Sequence, residues 1–216
     1  VHDVAVGDTL ELMAHLGILR WPLWSLAADI RIAVEIACRA PARVSAIIGC
    51  GAELPARTKT HYQRMNKWAR FVAANARYAP RAMSYLALAF FGLARRIGQK
   101  RFVKLVMGSS PPDLKMIEDD EVYAAMLRGS EISVSPSFTA HEAWTAEIIA
   151  ALSQDWSERL RQCPVPIRLF HGIEDPFSPI ATVREYAAAI PNITLVEIPE
   201  RGQILYNLNS KLPPSP

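Results

Sequence analysis

Apolar residues in this chain follow two patterns. Trp21–Leu26 and Val44–Cys50 are short apolar runs bounded by turn residues, which predicts strands, the second a buried strand of a parallel sheet. Ile167 and Ile193–Ile198 mark two more strands near the end of the chain. Elsewhere apolar residues recur every three or four positions. Asp29–Arg39 places Ile30, Ala33, Val34 and Ala37 on one face, the pattern of an amphipathic helix. Helices are also expected from about Val4 to Leu16, over Ser157–Gln162 and from about Ala181 to Ala189. Between Pro55 and about Asp155 the pattern is helical, with no convincing strand. Strands alternating with helices at both ends imply an α/β chain with a mostly parallel sheet flanked by helices. The expected organisation is 1–54 (helix, strand, helix, strand), 55–155 (helical) and 156–216 (helix and strand again).

Composition narrows this without changing it. Half of the 216 residues are apolar and 21% are charged, ordinary for one buried core. The longest other apolar run, Tyr85–Ala94, ends at Arg95-Arg96 and is too short to span a bilayer. The N-terminus carries no signal pattern. Cys38, Cys50 and Cys163 are odd in number and widely spaced, which suits reduced thiols in a cytoplasmic protein. The five histidines do not cluster with acids or cysteines at metal-ligand spacing, and no phosphate-binding glycine loop appears, so neither metal nor cofactor is expected.

Charge is less evenly spread than the net +3 suggests. From Leu54 to Pro112 there is no Asp or Glu, but 12 of the 24 basic residues lie there. That stretch is formally +12, and the rest of the chain −9. Aromatic residues interleave with the cations, among them Trp68, Phe71, Phe90 and Phe102. An acidic partner or an anionic surface would suit such a face, as would simple solvation of its charges. No reading helix or RNA-binding motif points to nucleic acid.

The chemistry-bearing segments come in a recognisable order. Leu16-Gly17-Ile18 precedes the first strand, Ser25-Leu26-Ala27-Ala28-Asp29 ends it, and Pro41, Arg43 and Val44 follow the next helix. Downstream, His171-Gly172-Ile173-Glu174-Asp175 ends a strand, and Pro199-Glu200-Arg201-Gly202-Gln203 follows the last one. These segments resemble the nucleophile elbow, the H-G-x-x-D turn and the final G-H loop of the α/β-hydrolase family. The resemblance implies a partial α/β-hydrolase fold with an inserted helical cap over 55–155. Its nucleophile, acid and base positions would be Ala27, Asp175 and Gln203, with Leu26, Ala28 and Phe177 beside a ligand. Taking Ser25 as the nucleophile instead would misplace the spacing to both Leu16 and Pro41 by two residues.

The substitutions remove the family's chemistry. Alanine has no atom that attacks a carbonyl, and glutamine takes no proton near pH 7. Loss of nucleophile or base alone costs roughly a factor of a million in such triads. The expected function is therefore binding of a small apolar or acyl-type ligand between core and cap by a catalytically impaired relative. An active carboxylic-ester-type hydrolase using non-standard residues, and a ligand-sensing domain of a larger regulatory protein, are the alternatives. The family's early strands have no counterpart before Val4, and its closing helix gives way to the Pro-rich Lys211–Pro216. The strand at Trp21–Leu26 would then expose an apolar edge, to be covered by a second copy or by an N-terminal segment.

Overall fold

A computed structural model of the chain describes residues 2–134 and 138–205. The Pro-rich tail lies outside the described residues. Four strands, β1 (Trp21–Leu26), β2 (Val44–Cys50), β3 (Ile167–Gly172) and β4 (Ile193–Ile198), form one sheet in the order β1-β2-β3-β4, every pair parallel. Leu26 stands opposite Cys50, Gly49 opposite Leu169 and Phe170 opposite Val196. The C-terminal ends of the strands, and the loops that follow them, therefore come together along one edge of the sheet.

Parallel neighbours need crossovers, and the helices supply them. After α1 (His2–His15) and β1, α2 (Ile30–Arg39) returns the chain to β2, and α11 (Ile180–Ala189) joins β3 to β4. On α2 the face read from the sequence, Ile30, Ala33, Val34 and Ala37, is buried in the main core, and Ile36 joins it there. There they meet Ile47, Leu160, Ile167, Leu169 and Val183. The inner strand β3 is buried almost throughout, as a two-sided parallel strand must be. At one margin of the sheet β1 pairs only with β2 among the described residues, and Trp24 and Leu26 are 57% and 47% exposed.

The crossover from β2 to β3 is long. It runs through α3 (Lys59–Arg64), α4 (Lys67–Tyr78), α5 (Pro80–Ile97), α6 (Gln99–Val106), α7 (Pro111–Met116), α8 (Asp120–Val134), α9 (Phe138–Ser153) and α10 (Ser157–Arg161). Helices α4, α5 and α9 pack on one another around Val72, Ala76 and Met83, with Trp144 and Ile148 against them. Phe91 and Trp144 meet edge to face at 5.3 Å. Polar links tie α3 and the segment before it to α11, the helix packed on β4. Glu185 on α11 accepts from His61 Nε2 at 2.7 Å and from Arg64 at 2.6 Å, and Tyr186 donates to the Pro55 carbonyl at 2.9 Å. Among the described residues no helix is long and apolar enough to cross a membrane.

Candidate functional site

The site forms where the loops after β1, β2, β3 and β4 converge. The chain leaves β1 at Leu26 and turns at Ala27, whose φ is +46°. That left-handed conformation costs an alanine about 1 kcal/mol, so the surroundings must impose it. A 3-10 turn over Ala27–Asp29 leads straight into α2, and the Glu53 backbone N–H donates to the Ala27 carbonyl at 3.1 Å. Helix α9 packs against this turn. Ser25 lies within β1, buried, its hydroxyl directed at the Ile48 carbonyl 3.4 Å away. The residue at the sharp strand-to-helix turn is thus Ala27.

Gln203 follows β4 and is held from two sides. Its Nε2 donates to Glu53 Oε1 at 3.0 Å. Its backbone N–H donates to Asp113 Oδ2 at 3.0 Å, and the next N–H, of Ile204, donates to Asp113 Oδ1 at 2.9 Å. Asp113 is fully buried at the start of α7, where the Ser110 hydroxyl also donates to it at 2.5 Å. The loops leave no room for larger residues. Gly51, at φ +58°, would bring a Cβ within 2.9 Å of the Gln203 carbonyl oxygen, and a Cβ on Gly202 would collide with the Asp113 carboxylate.

Asp175 serves its own turn. Oδ1 accepts from the Phe177 and Ser178 N–H groups at 2.8 and 3.0 Å. Oδ2 has no hydrogen-bond partner, so neither oxygen bonds Gln203. Burial pushes its carboxyl up to about 8, and the nearby Glu53 and Asp113 carboxylates add to the rise, against the two backbone N–H groups. Burial likewise raises Glu53, against the Gln203 hydrogen bond. His171 is fully buried, and burial lowers its pKa. Its Nε2 donates to the Ser178 carbonyl at 2.6 Å, which fixes the neutral tautomer.

Two cavities are lined by residues of these loops. One, of about 230 Å³, is lined by Leu26, Ala27, Cys50, Met107, Gln203 and Ile204. The other, of about 130 Å³, lies between Glu53, Leu54, Phe177 and Ser178 and the helical residues Trp68, Val72, Phe90 and Trp144. Gln203 belongs to the first wall and Glu53 to the second, so their hydrogen bond stands between the two. The structure therefore brings Ala27, Leu26 and Gln203 to one cavity and Phe177 to the other, while Ala28 lines neither. Cys50 is the thiol at the first cavity, and burial pushes it up, which keeps it protonated. Among the described residues no group of His, Cys, Asp and Glu is placed to hold a metal ion.

Sequence reasoning did not single out Glu53 or Asp113. The available signal was their position: they are the acids that bracket the acid-free stretch from Leu54 to Pro112.

No protein-family model matches the sequence, and no curated protein matches it. Solved structures do. A bromoperoxidase from Bacillus anthracis superposes with a TM-score of 0.63 at 17% identity, over 97% of this chain and 68% of that one. MGS-M2, an α/β-hydrolase enzyme from a Medee basin deep-sea metagenome library, gives 0.59 at 18% identity, over 95% and 66%. A thermophilic esterase from Thermogutta terrifontis gives 0.57 at 17%, over 94% and 65%. The chain has a partial α/β-hydrolase fold and spans about two thirds of the length of these structures. Likeness at this identity speaks for fold and leaves activity to the site.

Proposed function

We propose that this chain is a hydrolase-fold protein without triad chemistry, which binds a small apolar or acyl-type molecule between its sheet and a helical cap formed by residues 55–155. The observation that carries this reading is the elbow: Ala27 keeps the left-handed backbone of the turn, φ +46°, and brings no hydroxyl to it. The base position holds Gln203, a neutral amide anchored through both its side chain and its backbone. The cavity beside them is mostly apolar, as a short acyl chain requires. Gln203 Nε2 carries a second hydrogen beyond the one given to Glu53, free for a ligand carbonyl. Leu26 and Phe177 contribute apolar wall, and Ala28 stands next to the elbow. Asp175 acts as a turn-forming carboxyl. The protonated Cys50 thiol speaks against a substitute nucleophile. The three free thiols suit a cytoplasmic setting.

Calorimetric titration with 2-heptanone, an acyl-like ketone that no hydrolase can cleave, tests the binding step. Saturable binding is expected, and it should be lost when Ile204→Trp fills the elbow cavity. The absence of binding to 2-heptanone and to the esters ethyl butyrate and ethyl hexanoate would overturn the reading.

A further inference from the structure

The largest of the cavities described belongs to neither strand end. It has a volume of about 720 Å³, within the range of small-molecule sites, and is walled only by residues of the helical segment and the turns around it. Its apolar wall is built by α4, α5 and α6. Trp68 and Phe90 stack at 5.3 Å, and Phe90 meets Phe102 edge to face at 4.4 Å. Leu93 and Leu105 stand open at 40% and 64% exposure. Met65, Trp68 and Phe90 also line the 130 Å³ cavity, so the two spaces adjoin through these three side chains.

The polar part of the wall has one sign. Asn66 is committed, its Oδ1 to the Ala69 N–H at 2.6 Å and its Nδ2 to the Ser109 hydroxyl at 3.1 Å. That leaves Lys67 and Arg70, and among the described residues neither has a carboxylate partner. They lie within the stretch that holds twelve cations and no acid. By contrast, Arg57 and Arg64, in the same stretch, are paired with Asp155 and Glu185. An apolar trough with two unpaired cations in its wall is complementary to a molecule with an aliphatic body and an anionic end.

We propose that this cavity is a second binding site, for a free long-chain carboxylate. Its chain lies along Trp68, Phe90 and Leu105, and its head meets Lys67 and Arg70. The site shares no wall with Ala27 or Gln203 and stands whether or not the elbow cavity binds a ligand.

Calorimetric titration of the 216-residue chain with dodecanoate, dodecanol and dodecyltrimethylammonium, each below its micelle-forming concentration, tests the assignment. Dodecanoate should bind about tenfold more tightly than dodecanol, the ratio one charge-assisted hydrogen bond supplies. The cation should bind more weakly than the alcohol. Lys67→Gln combined with Arg70→Gln should bring carboxylate and alcohol together, and the preference should shrink with added salt. Leu105→Trp, which fills the trough, should remove all three, while Ile204→Trp at the elbow should leave them unchanged. Equal affinity for the three heads would overturn the proposal. So would binding that survives Leu105→Trp, or recovery of the chain only on anionic phosphatidylglycerol vesicles with no binding of monomeric dodecanoate.

Discussion

Gln203 and Glu53 share a hydrogen bond of 3.0 Å that joins the loop after β4 to the loop after β2. Asp175, in the acid position read from the sequence, hydrogen-bonds only the backbone of its own turn, with His171 Nε2 3.5 Å from its other oxygen. A histidine placed at position 203 would therefore meet Glu53 first. In the Ala27→Ser, Gln203→His double variant, any hydrolysis of a fluorogenic ester should depend on Glu53. Adding Glu53→Gln should lower it by about ten-thousandfold, the order seen when the acid of a triad is lost. Adding Asp175→Asn should change it little. The reverse order would place the acid at Asp175.

Stability should depend on pH in a direction set by Asp175. Its carboxyl titrates at about 8 in the folded chain and near 3.9 when unfolded, so the folded state holds the extra proton between these values. Stability is then greatest toward the acid side of this window and falls as pH rises, by at most about 1.4 kcal/mol per pH unit from this group. Glu53, also raised, acts in the same direction. Urea unfolding between pH 5 and pH 8.5 measures the slope, and Asp175→Asn should flatten it. Stability that rises across this window would contradict the burial of these carboxyls.

Asp113 is the buried anchor between α7 and the loop holding Gln203. Asp113→Ala leaves two backbone N–H groups and the Ser110 hydroxyl without their acceptor. A loss of about 3 kcal/mol is expected, since hydrogen bonds to a charged group are worth about 1.5–3 kcal/mol each and do not add fully. Asp113→Asn, which keeps one acceptor oxygen, should lose less. Chemical denaturation reads both, and an unchanged Asp113→Ala midpoint would show that the loop holds itself.

The strands were legible because each is a short apolar run between turn residues: Val44–Cys50 and Ile193–Ile198 are β2 and β4 without adjustment. The resemblance puts a strand-to-helix turn at Ala27, and the chain does turn there, at φ +46°, between β1 and the Ile30–Ala37 face. The helix expected from Asp29 instead begins at Ile30, because a 3-10 turn takes up Ala27–Asp29. What Glu53 and Asp113 do was not legible. Each acts on Gln203 across 150 and 90 residues of chain, and no local pattern records a partner brought by folding. The turn-forming geometry of Asp175 is local, two and three residues ahead, and a sequence reading reaches that far.

The open margin at β1 should show in solution. Trp24 and Leu26 expose large apolar side chains on a strand that pairs on one side only among the described residues, and Leu19 beside it is 81% exposed. Natural proteins seldom leave such an edge bare. Sedimentation velocity at micromolar concentrations should show self-association that increases with concentration, and Trp24→Lys should weaken it. A monomer at every concentration would mean that this margin is tolerated as it stands.

On the proposed function, the elbow binds without cleaving. Release of nitrophenol from 4-nitrophenyl acetate and butyrate by the purified 216-residue chain, set against buffer and against Asp175→Ala, tests it most directly. The rate with protein should equal the rate in buffer for both esters, with Asp175→Ala no different. Hydrolysis well above buffer that Asp175→Ala abolishes would contradict it, and would mean that Ala27 and Gln203 have been mistaken for the working positions.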